Sequence, residues 1–435
     1  MERLILNQLL NWKNSPYRKP LILKGVRQVG KTWIMKTFGQ QYFEKTAYVN
    51  FDNNARMKQV FEGDLDIERL VLSISAETGV SIEAENTLII FDEVQEVPKA
   101  LTSLKYFYEN APQYAIVAAE SLLGVALHQG TSFPVGKVDF LDLYPLNFRE
   151  FLCAMGEKQF VSMLDSCDTQ MVTVFKTKYI ERLREYYFVG GMPEVVKDFS
   201  EKKDYNRVRA IQKNLINYYQ QDFSKHAEIK LVPRLNLVWN SIPMQLAKEN
   251  KKYIYGQVRE GSRAKDFELA IQWLLDCGLI HKVQRIQKPD LPLKAYIDFD
   301  AFKLFLVDIG LLIAMTDLDA KVIIEGNKIF TEFKGALTEQ YILQQLISDV
   351  GVIPYYYSTQ NSKGEIDFLV QGKTSVIPIE VKAEENLKAK SLKAFCEKYQ
   401  PSYAVRTSMS DYREQDWMTN IPLYAVKWIK NYVNQ

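Results

Sequence analysis

The chain has 435 residues, of which 47% are hydrophobic and 25% are charged, and its net charge is +2. This composition is typical of a globular protein and excludes a disordered chain or a polycation, so any nucleic-acid surface must be local. The four cysteines are far apart and form no metal-binding or disulfide pattern, which fits a reducing cytoplasm. No signal peptide and no membrane-spanning run is apparent, so a cytoplasmic protein without membrane contacts is expected.

Four stretches of different pattern follow one another along the chain. Within the predicted domain 1–150, residues 20–118 alternate short apolar runs with helical segments, and the runs PLILKG, TAYVNF, NTLIIFDE and YAIVAAES predict strands of a parallel sheet. Residues 151–230 have a helical pattern. Residues 231–320 contain two amphipathic helices followed by a hairpin, which is the order of a winged helix. Residues 321–435 predict the order αβββαβ.

The first motif is GVRQVGKT, which matches the phosphate-binding loop GxxxxGK[ST] between a predicted strand and a predicted helix. Its glycines allow backbone N–H groups to turn towards phosphates, and the helix N-terminus adds its positive end. The terminal lysine is expected to reach the β- and γ-phosphates and the threonine to hold Mg²⁺. Nucleotide contacts are therefore predicted for Gly25, Val26, Arg27, Gln28, Val29, Gly30, Lys31 and Thr32.

An acidic pair ends the predicted strand LIIFDE. Asp92 is expected to hold Mg²⁺ through water, and Glu93 to orient or activate the water that attacks the γ-phosphate. The next predicted strand ends at Ser121, which is either a γ-phosphate sensor or a capping serine. Arg149 and Lys137 are the candidates for an arginine-finger role, although surface or structural roles are favoured for both.

The segment from Lys248 to Lys294 contains ten Lys or Arg and six Asp or Glu, which gives it a local charge of +4. In a winged helix such charges can contact phosphates of DNA or RNA. Winged helices also mediate contacts with proteins, so both kinds of partner stay open. The basic residues on the predicted recognition helix and wing are Arg263, Lys265, Lys282, Arg285 and Lys288.

Three charged side chains lie in two predicted strands of the segment GEIDFLVQGKTSVIPIEVKA. Alternation along a strand places Glu380 and Lys382 on one face, and Asp367 joins them if the register allows. Glu339 is expected on the apolar stripe of the preceding helix, where a carboxylate needs a partner. Carboxylates that hold Mg²⁺, with a lysine beside the attacking water, would form a phosphodiesterase site. A hairpin with a solvent-exposed Glu–Lys pair is the alternative.

Taken together, the chain resembles a prokaryotic family of AAA-type ATPases with a C-terminal PD-(D/E)XK nuclease-like domain. The motifs are LILKGVRQVGKT, LIIFDEVQEVP, SFPVGKVDFLDLYPLNFREFL, YYFVGGMPEVV and FKGALTEQYI…EIDFLV…IPIEVKA. The resemblance implies an α/β fold with a P-loop core (1–150), a helical lid (151–230), a winged-helix segment (231–320) and a restriction-endonuclease-like αβββαβ domain (321–435). Related sequences often have Gly-Ser where this chain has Glu120-Ser121, and a carboxylate there would repel the γ-phosphate.

The resemblance places nucleotide binding on the loop with Asp92 and Glu93, and the nuclease-like signature on Glu339, Asp367, Glu380 and Lys382. Two functions follow from it. One is an ATPase that uses ATP and Mg²⁺ and acts on DNA or RNA through the nuclease-like domain. The other is a non-cutting nucleotide-dependent switch or scaffold, in which that domain only binds nucleic acid or a protein partner. The predicted metal ligands are Thr32, Asp92, Glu339, Asp367 and Glu380.

Overall fold

The polypeptide divides into two compact units. The computed structural model describes residues 2–120, 134–248, 251–324, 331–359, 364–385 and 389–435. The first unit comprises residues 2–144 and 276–279, and the second comprises residues 145–275 and 280–435. None of the helices in the described ranges combines the length and the apolar composition that crossing a bilayer requires.

The sheet of the first unit has five parallel strands in the order β2-β3-β4-β1-β5. Their bounds are β1 Leu21–Lys24, β2 Lys45–Asn50, β3 Thr87–Asp92, β4 Ala115–Ala119 and β5 Asp139–Asp142. The four predicted strands are present because each has an apolar run that the sheet buries. Strand β5 was not predicted: its sequence DFLD has only two apolar residues and none of its side chains is fully buried, and the strand forms by pairing with β1 at the edge of the sheet.

Helices pack on this sheet around a core that includes Ile22, Phe51, Ile89, Phe91 and Ile116. They are α1 Ile5–Asn14, α2 Lys31–Tyr42, α3 Ala55–Glu62, α4 Ile67–Thr78 and α5 Pro98–Asn110. The pattern predicted α2 and α5. Helices α3 and α4 follow Asn54 and Asp66, whose side chains accept hydrogen bonds from the first turn of each helix.

The second unit begins with a helical stretch. Its helices up to residue 276 are α6 Phe148–Ala154, α7 Lys158–Asp165, α8 Thr169–Val174, α9 Lys176–Val189, α10 Pro193–Lys202, α11 Tyr205–His226, α12 Val232–Leu246, α13 Tyr255–Val258 and α14 Ala264–Asp276. The last of these precedes a hairpin, so the helix-then-hairpin order predicted for 231–320 is present. The winged-helix fold itself stays a prediction.

Eight strands form the sheet of the second unit, in the order β12-β13-β11-β10-β9-β8-β6-β7. Their bounds are β6 Ile280–Ile286, β7 Ile297–Leu306, β8 Tyr355–Ser358, β9 Glu365–Gln371, β10 Val376–Val381, β11 Val405–Ser408, β12 Arg413–Gln415 and β13 Met418–Pro422. The remaining helices are α15 Ile309–Met315, α16 Ala320–Ile324, α17 Thr331–Gln345, α18 Lys390–Tyr399 and α19 Ile429–Val433.

The predicted αβββαβ order is present as α17, β8, β9, β10, α18 and β11. Strands β12 and β13 extend this order at one edge and were not predicted. At the other side β6 pairs in parallel with β8, so the hairpin continues the same sheet. The sheet therefore crosses the boundary predicted at residue 320, and the four-domain division stays a prediction.

Asp308 connects three parts of the second unit. This fully buried side chain caps α15 by accepting a hydrogen bond from the Leu311 N–H (3.1 Å). It also accepts from the Gly191 N–H (2.6 Å) and from Gln344 Nε2 in α17 (3.2 Å). Gly191 has no alternative residue type, since a Cβ there would lie 2.1 Å from the carbonyl oxygen of Leu146. The Gly-Gly of the motif YYFVGGMP therefore has a packing role.

Candidate nucleotide and acid–lysine sites

The GVRQVGKT segment forms a tight loop between β1 and α2. Gly25 has φ +155°, and a Cβ there would lie 2.3 Å from the carbonyl oxygen of Leu143. Gly30 has φ +95° and immediately precedes the first residue of α2. Both positions require glycine because side chains disfavour these conformations. The loop consequently brings backbone N–H groups to the start of a twelve-residue helix, where anions are stabilised.

Lys31 is buried, with only 6% of its surface exposed, and its amine turns back into the loop. Nζ donates hydrogen bonds to the carbonyl oxygens of Gly25 (2.6 Å) and Val26 (3.1 Å). Burial lowers the pKa of Lys31 to about 8, against the opposing charges of Glu93, Asp92 and Glu120. The predicted phosphate-binding lysine is thus held among acceptors and near three acids.

Asp92 connects the loop to the neighbouring strands. Its Oδ2 accepts hydrogen bonds from Thr32 Oγ1 (2.7 Å) and from the Tyr48 hydroxyl (2.9 Å). Burial, followed by the charge of Asp92, raises the pKa of Tyr48 well above its ordinary value. Threonine and aspartate oxygens are hard donors of the kind that Mg²⁺ prefers, so this pair fits the predicted metal. Tyr48 was missed by sequence reasoning; its signal is its place on β2, beside β3 in the register.

Two further carboxylates lie near Lys31. Glu93 follows β3 in a left-handed conformation, with φ +52°, and its Oε2 accepts a hydrogen bond from Gln95 Nε2 (2.5 Å). Glu120 follows β4, is 1% exposed, and has no hydrogen-bond partner for either carboxylate oxygen among the described residues. Burial raises the pKa of Glu120 to about 8; the charge of Lys31 opposes this rise and that of Glu93 adds to it. The predicted sensor Ser121 lies outside the described residues.

The arginine-finger candidates are engaged in ion pairs. Arg149 is buried and pairs with Asp349 (2.6 Å) and Asp165 within the second unit. Lys137 pairs with Glu109 (3.0 Å) within the first unit. Both contacts agree with the structural roles that the sequence favoured.

The four predicted nuclease-like residues come together in the second unit, with three more charged side chains. Asp367 Oδ2 accepts a hydrogen bond from the Val381 N–H (2.7 Å), and Lys382 Nζ lies 2.6 Å from Glu380 Oε1. Glu339 shares a hydrogen bond with Asp367 and forms an ion pair with Lys251. The acid–lysine cluster consists of Glu339, Glu365, Asp367, Glu380, Lys251, Lys303 and Lys382.

Lys303 lies at the centre of this cluster and was not predicted. It is fully buried on β7, 3.6 Å from Glu339 Oε2, and it pairs with Glu365. Its amine also faces the ring of Tyr356 at 4.8 Å. The sequence signal is a lysine in the apolar strand IDFDAFKLFL, whose position on a buried face requires an acidic partner.

Comparison with known families gives matches to three segments. Residues 17–152 match the family model described as an AAA domain. Residues 180–322 match a domain of unknown function (DUF8612), and residues 334–426 match another (DUF4143). No curated protein matches the chain. The first unit contains an AAA-type P-loop domain. This confirms the predicted AAA-type ATPase class for that unit; the nuclease-like class of the C-terminal segment stays a prediction.

Three solved structures are distantly similar to this chain. The Walker-type ATPase PABY2304 of Pyrococcus abyssi is 14% identical, with 72% of this chain and 95% of that chain covered and a TM-score of 0.45. The Aeropyrum pernix ORC1 protein in complex with DNA is 12% identical, with 72% and 91% covered and a TM-score of 0.28. Cdc6p from Pyrobaculum aerophilum is 10% identical, with 72% and 92% covered and a TM-score of 0.24. These scores support no argument about function.

The acid–lysine cluster does not fit a metal in its present arrangement. Among the described residues no group of three or more acidic, histidine or cysteine side chains is placed to hold an ion. The lysines take that place: Lys251 and Lys303 face Glu339, and Lys382 faces Glu380. Burial and the charges of Glu339 and Glu380 raise the pKa of Asp367 well above its ordinary value. A neutral Asp367 would leave three carboxylates opposite three ammonium groups.

The basic residues of the predicted winged helix differ in their surroundings. Arg285 pairs with Asp298 on the neighbouring strand, and Lys288 pairs with Asp290 (2.7 Å). Arg263 and Lys265, at the start of α14, are exposed. The exposed Arg263 and Lys265 are therefore better placed for phosphate contacts than Arg285, whose guanidinium is already paired with Asp298.

The buried ion pairs of Lys303 predict a large effect of removing its charge. We expect Lys303→Met to lower the free energy of unfolding by about 3 kcal/mol, because it leaves Glu339 buried with a missing partner. Chemical denaturation of the whole chain measures this change. The matched control is Lys334→Met, which removes a more exposed pair with Glu384 and should leave stability near that of the wild type. Equal stability of wild type and Lys303→Met would contradict a structural role for the pair.

Proposed function

We propose that the AAA-type P-loop domain binds ATP together with Mg²⁺ and hydrolyses it. The observation that supports this most directly is the hydrogen bond between Thr32 and Asp92. It joins the phosphate-binding loop to the acidic strand end, so that one oxygen-rich site lies beside the loop. The buried amine of Lys31 lies in the same loop.

Each polar residue has a distinct task in this proposal. Lys31 exchanges the carbonyl oxygens of its own loop for phosphate oxygens, and the loop N–H groups bind the remaining phosphate charge. Thr32 and Asp92 hold Mg²⁺, which neutralises charge on the β- and γ-phosphates when bound. Glu93 orients the attacking water and accepts its proton. Tyr48 keeps the Asp92 carboxylate in position through its hydroxyl.

Two substitutions separate binding from hydrolysis. Lys31→Ala should weaken ATP binding by at least about 100-fold, because it removes the buried cation that meets the phosphates. Glu93→Gln should retain binding and lower the rate of phosphate release by about 100-fold or more, because it removes only the proton acceptor. Fluorescent-nucleotide titration and phosphate release measure the two effects.

Lys58 and Glu96, two exposed residues of the first unit, provide the controls. Lys58→Ala and Glu96→Gln should behave as the wild type in both assays. Unchanged turnover in Glu93→Gln would remove Glu93 from its assigned role. ATP binding that survives Lys31→Ala would contradict the loop as the nucleotide site.

For the second unit we propose a binding module that does not cut nucleic acid. Its binding of a partner, nucleic acid or protein, would depend on the nucleotide bound to the P-loop domain. The lysines of the acid–lysine cluster support this, because they form ion pairs with the carboxylates that would have to bind a catalytic metal. The exposed Arg263 and Lys265 offer a surface for phosphates or for an acidic protein. The connection between ATP hydrolysis and this surface is part of the proposal.

A metal-dependent nuclease is the second candidate. It is favoured by two buried oxygens, Glu339 Oε2 and Glu380 Oε2, which have no hydrogen-bond partner within the part of the chain that the structure describes. Both belong to predicted metal ligands, and Asp367 lies beside Glu339. A shift of Lys251 and Lys382 would also free Oε1 of each carboxylate, so that both oxygens of Glu339 and Glu380 could meet an ion.

Strand cleavage in the presence of Mn²⁺ distinguishes the two candidates. We expect the wild type to release phosphate from ATP but to leave single- and double-stranded DNA and RNA intact. Cleavage by the wild type that is lost in Lys382→Ala, but retained in the control Lys334→Ala, would overturn the non-cutting proposal and establish the nuclease.

A further inference from the structure

Glu120 occupies the position between the two halves of the nucleotide site. Strand β4 pairs with β1 on one side and with β3 on the other, so its carboxyl end lies between the phosphate-binding loop and the acidic pair. The first residue after β4 is Glu120, and its carboxyl group interacts electrostatically with both Lys31 and Glu93. A side chain at this point is therefore directed towards the region where the terminal phosphate of ATP would lie.

The surroundings of Glu120 bear on the protonation state of its carboxyl group. Glu120 is 1% exposed, and neither of its oxygens has a hydrogen-bond partner among the described residues. The amine of Lys31 donates instead to Gly25 and Val26. A buried carboxylate without a partner is costly, whereas a neutral carboxylic acid is tolerated and carries an O–H donor.

We propose that Glu120 acts as a neutral carboxylic acid that donates a hydrogen bond to the terminal phosphate of ATP, and so takes the sensing role predicted for Ser121. The proposal rests on the ATPase function proposed above. Phosphate charge favours the neutral form of a nearby carboxyl, so binding and protonation support each other. The repulsion expected between a glutamate and the γ-phosphate is thereby removed.

Other titratable groups face the same site and must be separated from Glu120. They are Lys31 and Arg27 from the loop, Asp92 and Glu93 from the end of β3, and Tyr48 from β2. Burial lowers the pKa of Lys31 to about 8, into the range where Glu120 titrates. A comparison of wild type with Glu120→Gln keeps Lys31 and the other groups in place, so their direct contributions appear in both profiles. The indirect contribution that remains is the loss of the Glu120 charge, a charge that raises the pKa of Lys31 in the wild type.

The decisive experiment is the pH profile of kcat/KM for ATP, which reports groups of the nucleotide-free enzyme. Glutamine is a permanent donor of similar shape. We expect Glu120→Gln to match the wild type within about twofold at pH 6.5, and the ratio of wild type to Glu120→Gln to fall about tenfold between pH 7 and pH 9. Glu120→Ala should lower kcat by about 100-fold while retaining ATP binding. The control Glu83→Gln removes an exposed carboxylate and should follow the wild type.

A stability measurement gives a second result that does not depend on activity. The folded-state pKa of about 8 lies above the ordinary value of 4.5, so the unfolded chain loses the Glu120 proton first. Wild-type stability should therefore fall relative to Glu120→Gln as the pH rises from about 4.5 to 8, and the difference should then stay constant. The same measurement shows whether each variant is folded.

The outcomes distinguish this inference from the proposed function. A wild type that hydrolyses ATP, with a pH profile parallel to that of Glu120→Gln, would overturn the role of Glu120 and leave the ATPase standing. A folded Glu120→Gln without activity would also overturn it, because a donor alone would then be insufficient. A wild type without ATP binding at any pH would overturn the proposed function itself.

Discussion

The cost of burying a carboxylate governs both units of this protein. A carboxylate removed from water must find hydrogen-bond donors or a cation, or become neutral. Asp92 uses two hydroxyl donors, Asp308 uses backbone N–H groups and a glutamine amide, and Glu339 uses lysines. Of these four, Glu120 is the one whose two oxygens both lack a hydrogen-bond partner among the described residues. The same constraint thus has four results. Asp92 forms a pair with Thr32 that is compatible with a metal, Asp308 connects parts of the second unit, the charge of Glu339 is balanced by lysines, and Glu120 is a candidate phosphate sensor.

The nucleotide site follows from the order of the strands. Strand β4 lies between β1 and β3, so the loop, Glu120 and the Asp92–Glu93 pair follow the carboxyl ends of three adjacent strands, although they are far apart in sequence. The Thr32–Asp92 hydrogen bond then fixes the loop against β3, and Tyr48 adds a contact from the outer strand β2. In the proposed function, phosphate would therefore bind to a site whose main groups are already positioned, which would limit the reorganisation needed for hydrolysis.

The sequence predicted the motifs and the strands next to them better than it predicted the elements and side chains that surround them. Apolar runs and glycine positions predicted four strands of the first sheet and the loop, and strand alternation predicted that Asp367, Glu380 and Lys382 would meet Glu339. The edge strand β5 was missed because it forms by pairing with β1 and has no apolar run. Helices α3 and α4 were missed although Met57 and Phe61, and Leu70 and Ile74, lie four residues apart on their buried faces. Lys303 and Tyr48 were missed because their partners come from distant segments. The continuous sheet from β7 to β12 is a long-range pairing that local patterns do not encode.

Calorimetric titration with Mg²⁺ and a non-hydrolysable ATP analogue tests the central claim most directly. Performed on the whole chain at pH 8 in two buffers of different ionisation enthalpy, it measures binding and proton uptake together. We predict saturable binding with net uptake of protons, because phosphate charge raises the pKa of both Lys31 and Glu120. Absence of binding would contradict the loop as a nucleotide site, and binding without proton uptake would contradict the position of these two buried groups beside the phosphates.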